Sequence, residues 1–153
     1  MSLLLNGAKT VTIAGSELQC VEIYTGESYT FPFAFKDASG NPVNITGWTL
    51  TTSCKWYNAT ITYNGDTELT LAGVALVDPQ PSAPAGLTAA ATTAASGIGY
   101  LFIPTTINGG LTIGIDATPA LIAIVTLGVS RTDALSSLTN ISKEPIGLII
   151  RFI

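Results

Sequence analysis

Residues 24–48 read YTGESYTFPFAFKDASGNPVNITGW. Tyr29, Phe31, Phe33 and Phe35 occupy every second position and alternate with Ser28, Thr30, Pro32 and Ala34. A period of two puts all four rings on one face of a β-strand. An exposed row of rings would make a carbohydrate platform. These rings are instead the best core candidates in a chain with few other side chains of their size, since burial is worth about 25 cal/mol per Å2 of apolar surface. After the last ring comes Lys36-Asp37-Ala38-Ser39-Gly40-Asn41-Pro42, a dense turn signal. Val43-Asn44-Ile45-Thr46-Gly47-Trp48 then leads into a second alternation, Trp48, Leu50, Thr52, Cys54 and Trp56. Tyr57 falls on the other side of that run and is expected outward, on a contact surface.

Strands are predicted near Lys9–Ala14, Gln19–Tyr24, Ser28–Lys36, Trp48–Tyr57, Thr67–Val77, Gly99–Ile103, Ala120–Ser130 and Ile146–Phe152, where threonine, β-branched and aromatic residues concentrate. Asn64-Gly65 is a type I′ hairpin signal between Ile61-Thr62-Tyr63 and Glu68-Leu69-Thr70-Leu71. Asn108-Gly109-Gly110 marks another turn. Short strands separated by turns point to an all-β chain, one β-sandwich domain over residues 1–153, rather than to βαβ units. Residues 78–97 (DPQPSAPAGLTAAATTAASG) break the pattern. They read either as an ordinary long connection or as an arm that orders against a neighbouring subunit. Within them, Ala85–Ala95 has enough alanine for a short helix, weakened by Gly86 and three threonines. Pro79, Pro81 and Pro84 join Tyr57 as candidate contact residues. Residues 132–144 (TDALSSLTNISKE) read as a second polar connection.

Only 10% of residues are charged, against about a quarter in ordinary soluble domains. Mean hydropathy is positive, at +0.48. A free monomer keeps a charged surface to stay dispersed, so the deficit points to a surface covered by partners. The apolar stretches Leu121–Val129 and Pro145–Ile153 fall short of the roughly 20 residues of a membrane-spanning helix. A net charge of −4 with six scattered basic residues disfavours nucleic acid. The start, MSLLLNGAK, lacks a secretion-signal pattern, which leads us to expect a chain made in a cytoplasm. The two cysteines, Cys20 and Cys54, have no metal-binding spacing. Cys54 reads as a small buried hydrophobe, and a disulfide between the two is the alternative, disfavoured in a reducing compartment.

Histidine is absent, which removes the commonest general base and metal ligand and rules out a Ser-His-Asp or Cys-His arrangement. Of the ten acidic residues, Asp66 and Glu68 are the closest pair, and beside Asn64-Gly65 they read as solvated hairpin charges. Asp37-Ala38-Ser39-Gly40-Asn41 has one carboxylate and reads as a turn, not a calcium loop. The glycine pairs lack a phosphate-loop context. Sequons at Asn44, Asn58 and Asn140 are matches expected by chance in a threonine-rich chain. No enzyme, metal or cofactor is expected.

Residues 26–48 resemble the N-terminal immunoglobulin-like domain of tailed-phage upper baseplate proteins and related small phage virion proteins. The matching residues are Gly26, Glu27, Phe31, Phe33, Phe35, Asp37, Gly40, Pro42, Val43, Ile45, Thr46 and Gly47. The resemblance implies a single immunoglobulin-like β-sandwich with one long Ala/Pro/Thr-rich connection. Its motif is structural: Gly40 and Pro42 set the hairpin, and Thr46-Gly47 turns the chain from one sheet toward the other. It further implies a non-enzymatic virion component, docking on other virion proteins and on copies of itself in the tail, baseplate or fibre attachment region. A capsid decoration or neck protein of the head is the alternative, and a carbohydrate- or host-surface-binding module is a second. No nucleic acid or membrane partner is expected.

Overall fold

The computed structural model describes residues 2–13, 15–24, 26–64, 68–77, 80, 82–105, 119–132 and 139–151. Among these residues the strands are β1 (Ser2–Leu5), β2 (Lys9–Ile13), β3 (Ser16–Tyr24), β4 (Tyr29–Lys36), β5 (Thr49–Asn64), β6 (Glu68–Leu76), β7 (Thr88–Thr93), β8 (Ile98–Ile103), β9 (Pro119–Thr132) and β10 (Thr139–Arg151). A single 3-10 turn, Ala94–Ser96, joins β7 to β8. The chain is all-β, and its strands form two packed sheets. The smaller sheet has the order β1-β4-β8-β7 and is antiparallel throughout. The larger has the order β2-β3-β10-β9-β5-β6, with β3 and β10 parallel and every other pair antiparallel.

Both aromatic alternations do what their period dictates. Phe33 and Phe35 enter the core between the sheets, edge to face with centroids 5.4 Å apart. Tyr29 and Phe31 share that face but taper to half-buried, with ring planes 2° apart. From β5, Trp56 is fully buried, and Leu50 and Cys54, with Trp48 just before the strand, pack around the same core. Leu3, Leu5, Leu101 and Ile103 close it from the smaller sheet. Val21, Ile23, Val125, Leu127, Ile146, Leu148 and Ile150 close it from the larger.

A second cluster lies on the opposite face of the larger sheet. There β2 and β6, its two edges, curl toward each other over Val11, Ile13, Leu18, Cys20, Ala59, Ile122 and Ile149. Successive residues of β9 therefore go to different cores: Ile122 to the second, Ala123 to the first. A strand buried on both faces has no use for polar positions and reads as a continuous apolar run. That is the structural reason for the apolar stretches in β9 and β10.

Several expectations are corrected. Residues 78–97 are not wholly connection, and Ala85–Ala95 is not a helix: its middle is β7, followed by the 3-10 turn. The polar stretch 132–144 is a connection only in part, since β10 begins at Thr139. Residues 48–57 and 61–63 belong to one strand, β5, with a register shift between Asn58 and Thr60. Asn64 pairs with Glu68, and Gly65 of the expected Asn64-Gly65 turn lies outside the described residues. β1 was not foreseen. The Asn108-Gly109-Gly110 signal lies outside the described residues, and so do Asp66 and the side chain of Glu68.

Side-chain amides seal the margins of the sandwich. The Leu5 N–H donates to Gln19 Oε1 at 2.9 Å, and Gln19 Nε2 donates to the Leu3 carbonyl. In this way β3 holds β1 across the gap between the sheets. Gln80 does the same for β5 where β6 has ended. The Trp56 N–H donates to its Oε1 at 3.0 Å, and its Nε2 donates to the carbonyls of Trp56 and Val77. Thr52 Oγ1 donates to the Leu87 carbonyl at 3.0 Å, tying β5 to the approach to β7.

Gly147, paired with Cys20 across β10 and β3, has a packing reason. A Cβ there would lie 2.4 Å from Cys20 Sγ and 3.3 Å from Ile13 Cδ1. Gly147→Ala is expected to destabilise the fold by about 1–3 kcal/mol through overpacking. Cys20→Ala in the same chain removes the sulfur and should recover about 1 kcal/mol or more of that loss. Urea denaturation of the two single variants and the double variant checks this. Additive effects would refute the contact.

Candidate functional site

The segment that carries the resemblance is built as a structural device. Asp37 Oδ1 accepts from the N–H groups of Ser39 (2.8 Å) and Asn41 (2.9 Å), and its Oδ2 accepts from Asn41 Nδ2 at 3.3 Å. Backbone bonds from Asp37 N to Asn41 O and from Gly40 N to Asp37 O close the turn. Gly40 has φ +82°, a conformation that side chains strain against. Lys36 and Pro42 form a bridge beyond it. Asn44 Oδ1 then accepts from the Thr46 N–H at 3.0 Å, and Trp48 N donates to Ile45 O with Gly47 at φ +78°. Thr46-Gly47 does turn the chain from the smaller sheet, which holds β4, into the larger, which holds β5. Ile45 anchors the loop: it is buried, and its N–H donates to Ala94 O at 2.8 Å. Gly26, by contrast, is exposed in the turn before β4 at φ +85°.

The hydrogen bonds hold the Asp37 carboxyl below the usual aspartate range, chiefly through the Asn41 N–H. Burial pushes the Cys20 thiol up to about 11 and the Cys54 thiol up to about 12. Both cysteines are free, Cys20 in the second cluster and Cys54 half-buried against the first, on opposite faces of the larger sheet. The disulfide alternative is therefore overturned. Among the described residues no group of three His, Cys, Asp or Glu comes together that would hold a metal.

Beside the loop lies a shallow depression of about 440 Å3, lined by Asn44, Thr46, Gly47, Trp48 and Arg131. The Arg131 guanidinium sits 6.0 Å from the centroid of the half-buried Trp48 ring, within range of a cation–π contact.

The other feature is the outer face of the smaller sheet. Cross-strand register sets Leu4, Ala34 and Ile98 in one row, Pro32, Tyr100 and Ala90 in the next, and Thr30, Phe102 and Thr88 in a third. None of these side chains is charged. Leu4 is 53% exposed and Ile98 41%, large values for residues of this size. A second depression, of about 450 Å3, runs among Leu4, Asn6, Pro32, Ala34 and Ile98. Nothing among the described residues covers this face.

The expected contact residues fare differently. Tyr57 does point away from the main core, but it packs half-buried on the second cluster. Pro84 is buried, and its carbonyl accepts from Leu87 N at 3.2 Å. Pro84 is therefore no free contact surface, and Tyr57 is exposed only in part. Pro79 and Pro81 lie outside the described residues. The outer face went unread although a signal existed: Ile98 to Ile103 is apolar at both parities, so one parity had to face out.

No protein-family model matches this chain, and a search of curated proteins finds no significant match.

The depressed Asp37 carboxyl stabilises the fold above the ordinary aspartate pKa, and the contribution is lost as pH falls through the lower folded value. Asp37→Asn keeps an oxygen acceptor for both backbone N–H groups but cannot titrate. Its Tm is expected to fall less between pH 5 and pH 3 than that of the wild type, whereas Asp37→Ala lowers Tm at neutral pH. An NMR titration placing the Asp37 carboxyl at or above the ordinary value of about 3.9 would contradict the assignment.

Proposed function

We propose that the chain is a non-enzymatic, immunoglobulin-like structural module of a tailed-phage virion. It is made in the host cytoplasm and docks on other virion proteins in the tail, baseplate or fibre attachment region. Strand order supports the immunoglobulin-like part. The smaller sheet matches the A-B-E-D order of that fold, and β10-β9-β5 matches G-F-C, with β6 in the place of the added C′ strand. The fully buried Trp56 sits on the strand equivalent to C, where antibody domains keep their core tryptophan. The loop from Asp37 to Gly47, with its carboxylate cap and positive-φ glycines, supports the resemblance at the level of individual residues.

The observation that carries the docking role is the uncharged outer face of the smaller sheet, where Leu4 and Ile98 stand in one exposed row. An apolar patch of this kind marks an interaction site. The same face would serve a decoration or neck protein of the head. The test is mass spectrometry of purified particles, followed by reassembly with Ile98→Asp protein. The chain is expected in wild-type particles, and Ile98→Asp, which removes no core contact, is expected to reduce its incorporation about tenfold or more. Absence from particles would sink the proposal.

The depression at Trp48 and Arg131 favours a second reading, a carbohydrate- or host-surface-binding module. It lies between the loop joining β4 to β5 and the end of β9, in the region where immunoglobulin variable domains carry their binding loops. Glycan-array signals abolished by Trp48→Ala would establish this reading, and an array with no signal would dismiss it.

A further inference from the structure

Among the described residues the sandwich has four strand edges, and three are occupied or blunted. Along β1, the outward Leu3 carbonyl and Leu5 N–H are taken by the Gln19 amide. On the larger sheet, β2 and β6 curl toward each other, and β2 begins with a charged residue, Lys9. Such a charge is a usual defence against strand addition. β7, with the sequence TAAATT, has neither a charge nor a proline.

The hydrogen-bonding groups that β7 leaves free can be placed. Asn6 N donates to Pro32 O, and Phe35 N to Gly97 O. On β4, then, the even-numbered residues bond toward β1 and the odd-numbered ones toward β8. Alternation along the antiparallel ladder makes Ile98, Tyr100 and Phe102 bond toward β7, and so makes Thr88 and Ala90 bond back to β8. The N–H and C=O groups of Ala89 and Ala91 therefore point outward, and among the described residues nothing bonds them. The register shift comes only after Ala91, leaving Thr88 to Ala91 regular.

We infer that β7 pairs antiparallel with β7 of a second copy about a twofold axis at Ala90. In that register Ala89 of each copy exchanges both backbone bonds with Ala91 of the other, so all four free groups on each side are satisfied together. The two Ala90 residues meet at the narrow, non-hydrogen-bonded position, where Cα atoms approach to about 4.5 Å and opposite side chains lie closest. The occupant is a second copy because the surface is self-complementary: Ala89 and Ala91 stand symmetrically about Ala90, and although Thr52 of β5 holds the Leu87 carbonyl just before β7, no side chain caps the groups of Ala89 and Ala91 and β7 carries no charge. Pairing also joins the two uncharged outer faces into one eight-stranded sheet. This inference rests on the reading of the chain as an assembly part.

Light scattering during size-exclusion chromatography is expected to give twice the 15.8 kDa chain mass. Ala90→Lys and Ala90→Glu each set like charges directly opposite one another and should weaken the dimer about a hundredfold or more. An equimolar mixture of the two variants should dimerise again. Ala91→Pro removes an N–H that is unbonded in the monomer, and it should give a monomer with the wild-type β-sheet circular dichroism spectrum. A monomeric wild type overturns the inference. So does a dimer that survives both Ala90→Lys and Ala91→Pro, or a charge-swapped mixture that stays monomeric. A monomer that still incorporates into particles would overturn self-pairing alone, whereas a β7-dependent dimer absent from particles would overturn only the virion reading.

Discussion

The constraint on which the rest of the structure depends is that the larger sheet is buried on both faces along the middle of β9 and β10. Ile122 and Ile149 feed one core while Ala123 and Leu148, next to them in the chain, feed the other. Two cores on one sheet leave little room for error in side-chain volume. At Gly147 a methyl group would strike Cys20 Sγ. This glycine serves close packing, because it lacks the positive φ of a turn glycine. The double burial also bears on the scarcity of charge. Part of it comes from strands that face no water.

A sandwich with two cores has open sides where backbone groups would otherwise compete for water, and here amides stand in for strands. Gln19 and Gln80 each offer one acceptor and one donor at the spacing of a neighbouring peptide, so each extends a sheet by one rung without adding a strand. The contrast lies inside. Trp56 Nε1 is buried, with no partner among the described residues. An unsatisfied donor costs about 1–3 kcal/mol. Burying an indole of some 200 Å2 at about 25 cal/mol per Å2 contributes about 5 kcal/mol, so the ring is retained for its volume and the donor is tolerated.

How far the fold was legible follows from how many faces of a strand are dry. β4 and the first half of β5 have one core face and one outer face, and their alternation from Tyr29 to Phe35 and from Trp48 to Trp56 was readable to the residue. β7 escaped because TAAATT has no contrast in size or polarity between its faces. β1 escaped because Ser2–Leu5 is apolar at three successive positions. The first part of β10, TNISKE, is too polar to announce a strand, and its partner β9 supplies the ladder. Of the candidate contact residues, Tyr57 was placed on the correct face, but that face holds a second core which no single period reveals. Pro84, a candidate contact residue, is instead buried, and its carbonyl begins the turn that delivers Leu87 to the core.

The loop from Asp37 to Gly47 and the outer face of the smaller sheet are linked through β4. The bond from Val43 N to Phe35 O and the bond from Ile45 N to Ala94 O hold the loop against the ends of β4 and β7. Gly97 makes that approach possible, since a Cβ there would lie 2.4 Å from Val43 O. With the loop pinned at both ends, the smaller sheet keeps its position over the larger. Its outward rows are then held rigid by packing on the core side of the same strands. A face carried on strands whose other side is core would lose little conformational freedom if a partner covered it. The loop and the outward face of the smaller sheet are thus two consequences of how β4 is anchored.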